Sequence, residues 1–189
     1  MAIMRKLDIF WRHSDCPTYI KVYTADAVLR SKLLYGLESA QLIPSVLKKL
    51  ETFQLQVLRK ILKIDTTYIN RVNSNASIFN RINTTMEAEG KSKRVISFVE
   101  AYNKIKRKRA IKIINQENTS IYNVSFENGK FRKWTHKNRR VGRPRMNWTE
   151  ETINEIWNIV KRNNDRYRYT QFDEDNMEMI NLIKEHTEE

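Results

Sequence analysis

The chain is short of nearly everything that makes a turn. Four glycines and three prolines in 189 residues leave few punctuation points and predict long helices. A single cysteine, Cys16, excludes an intramolecular disulfide. No apolar run approaches the ~20 residues that span a bilayer as a helix, so no membrane partner is expected. The start, Met1-Ala2-Ile3-Met4-Arg5-Lys6, lacks the apolar stretch of a secretory signal. Its basic character favours nucleus or mitochondrion over secretion. Catalytic constellations are missing too. Two-metal phosphoryl transfer needs at least two carboxylates holding ions roughly 4 Å apart. The one tight acidic cluster, Asp173-Glu174-Asp175, sits at an expected helix start, where acids serve the helix dipole. His13 and Cys16 are spaced like a ligand pair, but a structural zinc takes four ligands and no second pair exists. His136 and His186 have no evident partner in the sequence. The four glycines are scattered and form no phosphate loop. No enzymatic activity, metal or cofactor is expected.

What is abundant is positive charge. Lysine and arginine number 35 against 22 aspartate and glutamate, a formal net charge of +13. Residues 1–73 carry 12 basic and 6 acidic groups, and residues 74–117 carry 10 and 4. Residues 118–148 carry 8 and 1, but residues 149–189 carry 5 and 11. The body is basic throughout and the last forty or so residues reverse sign. A basic body implies a polyanionic partner, most often nucleic acid. The acidic tail can shield that surface in cis or simply end the fold.

Apolar periodicity gives a mainly α fold, a helical bundle with a small β-hairpin, a basic loop and C-terminal helices. Residues 18–42 are helix-competent, with Val22, Leu29, Leu33 and Leu37 on one face. Pro44 allows a restart. A second helix over 45–63 shows a clean stripe of Leu47, Leu50, Phe53, Val57, Leu58 and Ile61, with Lys48, Lys49, Gln54, Arg59 and Lys60 opposite. The short gap predicts an antiparallel hairpin packed by Leu33, Leu37, Leu50, Phe53, Val57 and Ile61. A short helix is expected near 74–84, with Ile78, Phe79 and Ile82 inward. Another is expected over 92–114, burying Val95, Ile96, Val99, Ile105 and Ile113 and crowding Lys104, Lys106, Arg107, Lys108, Arg109 and Lys112 outside. The period then changes. Ile121–Phe126 alternates, Glu127-Asn128-Gly129 offers turn chemistry, and Lys130–Trp134 follows, which reads as a β-hairpin. Thr149 can cap a helix with Glu150 and Glu151 in its first turn, and a last helix is expected near 174–186. Three segments result: a bundle over 1–115, the hairpin and basic loop over 116–148, and acidic helices over 149–189.

The segment Arg139-Arg140-Val141-Gly142-Arg143-Pro144-Arg145-Met146-Asn147-Trp148 is the densest in chemistry, and no acid lies between Lys130 and Trp148. Arginine forks pair bidentately with phosphate, and Pro144 stiffens the run. Arg139, Arg140, Arg143 and Arg145 are the expected phosphate contacts, with Lys133 and Lys137 in support and the run Lys106, Arg107, Lys108, Arg109 as a second basic surface. Such contacts position a protein without reading sequence, so binding is expected to be sequence-tolerant. Gly142-Arg143-Pro144 also resembles the core of an AT-hook, which lies in the minor groove. Phe131, Trp134 and Trp148 flank the loop. Trp134 is the candidate for stacking on bases, and Trp148, just before a helix, reads as an anchor to the core. The competing possibility folds the arginines against the acidic tail.

Several runs together resemble the region beyond the palm in non-LTR (LINE-type) retrotransposon reverse transcriptases. They are Phe10-Trp11-Arg12-His13, then Asp26 to Ala40, Leu50-Glu51-Thr52-Phe53-Gln54, Leu58-Arg59-Lys60-Ile61-Leu62 and Thr67-Tyr68-Ile69-Asn70-Arg71. Arg139–Trp148 is similar to the arginine-rich tail motif of the same elements. The resemblance covers roughly residues 6–160 and implies a thumb, the helical bundle that packs on template–primer. The palm's metal-binding aspartates, with their aromatic-x-Asp-Asp strand, have no counterpart in this sequence. The resemblance therefore implies a free-standing thumb plus tail. Two functions fit it: a non-catalytic nucleic-acid-binding module for template–primer-like duplex or RNA, or a domesticated structural subunit of a ribonucleoprotein or other protein assembly. DNA and RNA are equally open at this point.

Overall fold

The computed structural model describes residues 6–116, 119–132, 148–173 and 175–185. The fold is mainly α, with one small two-stranded antiparallel sheet among the described residues. The chain divides into two compact units, one of residues 1–37 and 42–102, the other of residues 38–41 and 103–189.

The first unit opens with α1 (Asp8–His13) and α2 (Thr18–Ala25). A π-turn over Asp26–Arg30 continues α2 into α3 (Ser31–Leu34). The helix expected to reach residue 42 stops there. Tyr35 leaves the helical region at ψ 125°, and Gly36 takes φ +72°, a left-handed conformation that glycine adopts without a Cβ clash. Then α4 (Pro44–Leu62) runs as the stripe predicts, with Pro44 in its first turn, where the missing N–H costs nothing. It ends on Lys63 at φ 53°, whose turn is closed by Ile64 N–H on Arg59 C=O at 3.0 Å in the Schellman manner. Helix α5 (Asn75–Ala88) is capped by Ser74, which accepts from Ser77 N–H.

Trp11, Leu55, Ile78, Ile82 and Met86 are all but fully buried at the centre of this unit. Of the expected packing set, Val57 and Ile61 are in that core, whereas Leu33 and Phe53 pack on its margin. Leu37 and Leu50 border a smaller cluster around Leu34, Ala101 and Tyr102. The N-terminus of α2 is closed from far along the chain. Glu89 accepts Thr18 N–H at 2.9 Å on Oε1 and Tyr19 N–H at 2.8 Å on Oε2. An ionised carboxylate there satisfies two orphan donors and opposes the positive end of the helix dipole.

Gln54 corrects the sequence pattern most sharply. Expected on the polar face, it is 3 % exposed. Its Nε2 donates to Ile96 C=O at 2.9 Å and its Oε1 accepts Phe98 N–H at 2.7 Å. Together with Asn83, which accepts Val95 N–H at 2.9 Å, it holds residues 95–97 out of helix. Helix α6 (Phe98–Asn115) therefore starts six residues later than periodicity alone suggests, with Ser97 Oγ accepting Glu100 N–H. Side-chain partners for the backbone outweigh local propensity here.

The second unit holds the rest of α6, then α7 (Ser120–Ser125), β1 (Phe126–Glu127), β2 (Lys130–Phe131), α8 (Trp148–Val160) and α9 (Met177–Glu185). The hairpin is present, but its expected first strand is helical up to Ser125. Thr119 caps that helix through Tyr122 N–H, and Tyr122 stacks on Phe126 four residues later, ring centroids 4.6 Å apart. That contact needs the helical spacing, not the alternating one. Val124, an apolar member of that alternation, is 56 % exposed. Asn128 and Gly129, at φ 52° and 79°, make the two-residue type I′ loop that the pairs Phe126↔Phe131 and Glu127↔Lys130 require. Thr149 does not cap α8. It lies inside the first turn, buried, and its hydroxyl donates to Ser125 Oγ at 3.0 Å. Ile153, Ile156, Trp157 and Ile183 are fully buried, Trp148 and Phe131 pack against them, and Trp157 Nε1 donates to Thr170 C=O. Asn176 opens α9 by accepting Glu178 and Met179 N–H on Oδ1.

Candidate nucleic-acid interface

Lys133, Trp134, Lys137, Arg139, Arg140, Arg143 and Arg145 lie outside the described residues, as do His136 and His186. The second basic run is on α6, where the helix sorts its members. Lys106 is 4 % exposed, because it falls one turn before Ala110 on the buried stripe. Its Nζ is 3.0 Å from Glu155 Oε2 on α8, and Arg107 reaches the same carboxylate at 4.0 Å. A buried lysine needs such a partner. Arg109 is half-buried, with Nε sequestered. Lys104, Lys108 and Lys112 are exposed. Their four-residue spacing puts them in one row along the helix, about 6 Å apart. Ile105, expected inward, is 37 % exposed.

In the first unit the structure assembles a site that no single segment announces. The last turn of α1 contributes Arg12 and His13, the last turns of α4 contribute Gln56, Arg59 and Lys60, and the chain leaving α4 contributes Lys63, Ile64, Asp65 and Thr66. These residues line an open cleft of about 570 Å³. Four basic side chains line it with one carboxylate, Asp65, and one histidine, and a second carboxylate, Asp8, pairs with two of the four. Two helix C-termini end there, and cations in a last turn are favoured by the negative end of the dipole.

The cations are held in place. Asp8 sits between two of them, with Oδ1 2.6 Å from Lys60 Nζ and Oδ2 3.3 Å from Arg12 Nε. The Lys60 hydrogen bond, with the charges of Lys60 and Arg12, lowers the pKa of the Asp8 carboxyl from its ordinary value against the opposing effect of burial. Arg59 donates from Nη2 to Asn73 C=O at 3.1 Å and to Asn75 Oδ1 at 3.2 Å, while its Nε is buried with no partner among the described residues. Lys63 is exposed and has no acidic partner among the described residues. It also occupies the left-handed region, which costs an L-residue roughly 1–2 kcal/mol and which glycine would occupy freely.

The chain beyond the cleft is an exposed turn closed by its own hydrogen bonds. Ile69 and Asn70 N–H both return to Thr66 C=O at 3.0 Å, Asn70 Oδ1 accepts Val72 N–H, and the buried Asn73 donates to Asp65 C=O at 2.9 Å. On this turn Tyr68 is 97 % exposed, with Ile69 at 71 % and Val72 at 67 %. A further basic stretch, Lys91 to Arg94, sets Lys91 over the Tyr19 ring at 4.6 Å and Lys93 over the Tyr23 ring at 5.9 Å.

Sequence periodicity puts Arg59 and Lys60 on the polar face of their helix but gives no reason to single them out. The signal available was cations in the last turns of two separate helices, and nothing in the sequence says that those ends meet. Among the described residues no three His, Cys, Asp or Glu side chains are grouped to hold a metal ion, and no helix is long and apolar enough to cross a membrane. Comparison with protein-family models, curated proteins and solved structures finds no match to this chain.

Proposed function

We propose that this chain is a non-catalytic nucleic-acid-binding module of retroelement reverse-transcriptase descent, which holds a sugar–phosphate backbone in the cleft between α1 and the end of α4. The observation that carries this reading is the cleft's charge: Arg12, Arg59, Lys60 and Lys63 against Asp65 and the Asp8 that Arg12 and Lys60 share. Arginine and lysine donors in an open groove neutralise phosphates and release counterions. The exposed row Lys104, Lys108, Lys112 and the arginine-rich segment 139–145 extend the same chemistry. The thumb-like resemblance of residues 6–71 supports a duplex or RNA partner. We assign the chain no polymerase chemistry, because its sequence carries no counterpart of the palm's aromatic-x-Asp-Asp strand.

Lys63→Gly tests this reading. Glycine relieves the left-handed strain, so stability should hold or rise by up to about 1 kcal/mol. Loss of the ammonium should flatten the slope of log affinity against log salt by about 0.9 on duplex or about 0.7 on a single strand. An unchanged slope in a well-folded Lys63→Gly protein removes the cleft from the interface.

A further inference from the structure

We infer that the cleft takes single-stranded rather than duplex nucleic acid, with one base stacked on the Tyr68 ring while its flanking phosphates lie among Lys60, Lys63 and Arg12. This rests on the nucleic-acid reading above and adds the class of strand. Three observations meet here. Tyr68 is two residues beyond Thr66, which lines the cleft, so its Cα is within about 7 Å of the cleft wall. It is 97 % exposed, which leaves its ring open to a base. The turn that carries it is pinned by the hydrogen bonds of Thr66, Asn70 and Asn73, so little ordering remains to be done on binding.

An exposed ring beside a cationic groove is the pairing that single strands use: the groove follows the backbone and the ring takes a base face. A duplex offers no such face along its length, since its bases are already stacked on each other. Ile69 and Val72 are exposed apolar residues of the same turn and add no charge that would compete for phosphate. The ring contact makes no use of a 2′-hydroxyl, so ribose and deoxyribose strands are accepted alike.

The experiment is fluorescence anisotropy with end-labelled oligo(U), oligo(dT) and a mixed-sequence duplex, each of about ten nucleotides or base pairs, the scale of a single-strand groove. The proteins are the full chain, Tyr68→Ala, Tyr68→Phe and Lys63→Gly, each checked by thermal melting. Tyr68→Ala should weaken both single strands by roughly 5- to 150-fold, the range for one lost stacking contact, and leave duplex affinity unchanged. Tyr68→Phe should bind like the wild type. If Tyr68→Ala binds single strands normally while Lys63→Gly loses affinity, stacking is overturned and the basic cleft stands. Equal losses on duplex and single strand, or equal losses for Tyr68→Ala and Tyr68→Phe, also overturn it. Loss on oligo(U) alone overturns the indifference to sugar. Absence of binding by the wild-type chain overturns both readings.

Discussion

Replacing Gln54 by leucine removes the most consequential side-chain amide in the first unit with almost no change in volume. Its two hydrogen bonds serve the backbone where α6 begins, at 2.9 Å to Ile96 C=O and 2.7 Å to Phe98 N–H. Phe98 is 2 % exposed, so its orphaned N–H cannot turn to water and costs about 1–3 kcal/mol. Ile96 is only half-buried, so the bond lost to its carbonyl adds about 0.5–1 kcal/mol. A leucine at that buried site is easier to dehydrate than an amide, which returns about 1 kcal/mol. The net loss is about 0.5–3 kcal/mol, or on the order of 1 M in urea midpoint at the slopes of small proteins. Glutamate at the same site is worse: it keeps the acceptor for Phe98 but sets a carboxylate against Ile96 C=O. Urea denaturation followed by far-ultraviolet circular dichroism reads the loss, and amide exchange at Phe98 should accelerate in step. The exposed neighbour Gln56 is the control, and Gln56→Leu should stay within about 0.5 kcal/mol of wild type. A Gln54→Leu protein as stable as that control would refute the reasoning, since the amide would then be closing nothing that water cannot reach.

Leu55→Ala should cost about 2–5 kcal/mol because Leu55 is 2 % exposed. Leu50→Ala, at the half-buried margin, should cost clearly less, and urea midpoints of the two variants give the order. Asp8→Asn should lower stability at neutral pH, since the folded state binds the ionised carboxylate best. That advantage is complete above the ordinary aspartate value and is lost as pH falls through the lowered folded value, so melts of variant and wild type should converge on acidification. The same variant leaves Lys60 and Arg12 without their shared counter-ion, and polyphosphate affinity at neutral pH should rise. Changing Arg139, Arg140, Arg143 and Arg145 together to alanine should flatten the salt slope by roughly three and leave the melt in place. A lowered melt with an unaltered slope would instead favour pairing with the acidic tail.

The parts of this fold that could be read in advance are those where one local rule decides. The nineteen residues Pro44–Leu62 announce themselves by a proline at the start and an uninterrupted stripe. The Asn128-Gly129 turn does so by the positive φ that only such residues accept readily. Where two rules compete, the sequence misleads. Residues 121–125 alternate, yet the Thr119 cap and the Tyr122–Phe126 stack favour helix. Residues 92–97 have helical periodicity, yet Asn83 and Gln54 claim their backbone. Lys106 belongs to a basic run and Gln54 to a polar face, and both are buried because a distant residue, Glu155 or Phe98, supplies the partner. The cleft was hidden for the same reason. Its walls come from residues 12–13 and 56–66, and only tertiary packing brings them together.

The Glu89 clasp on α2 sets an order of events during synthesis. Most helices are capped by a neighbouring residue and can finish their first turn as soon as they form. The cap for Thr18 lies 71 residues downstream, behind the whole of α4 and α5. Until Glu89 has left the ribosome and α5 has docked, the Thr18 and Tyr19 amides have only water as partners, and the first turn of α2 frays. Closing a loop of that length costs entropy that only a nearly complete core repays. The clasp therefore forms after the folding barrier, and Glu89→Gln should hasten unfolding while leaving the folding rate almost untouched.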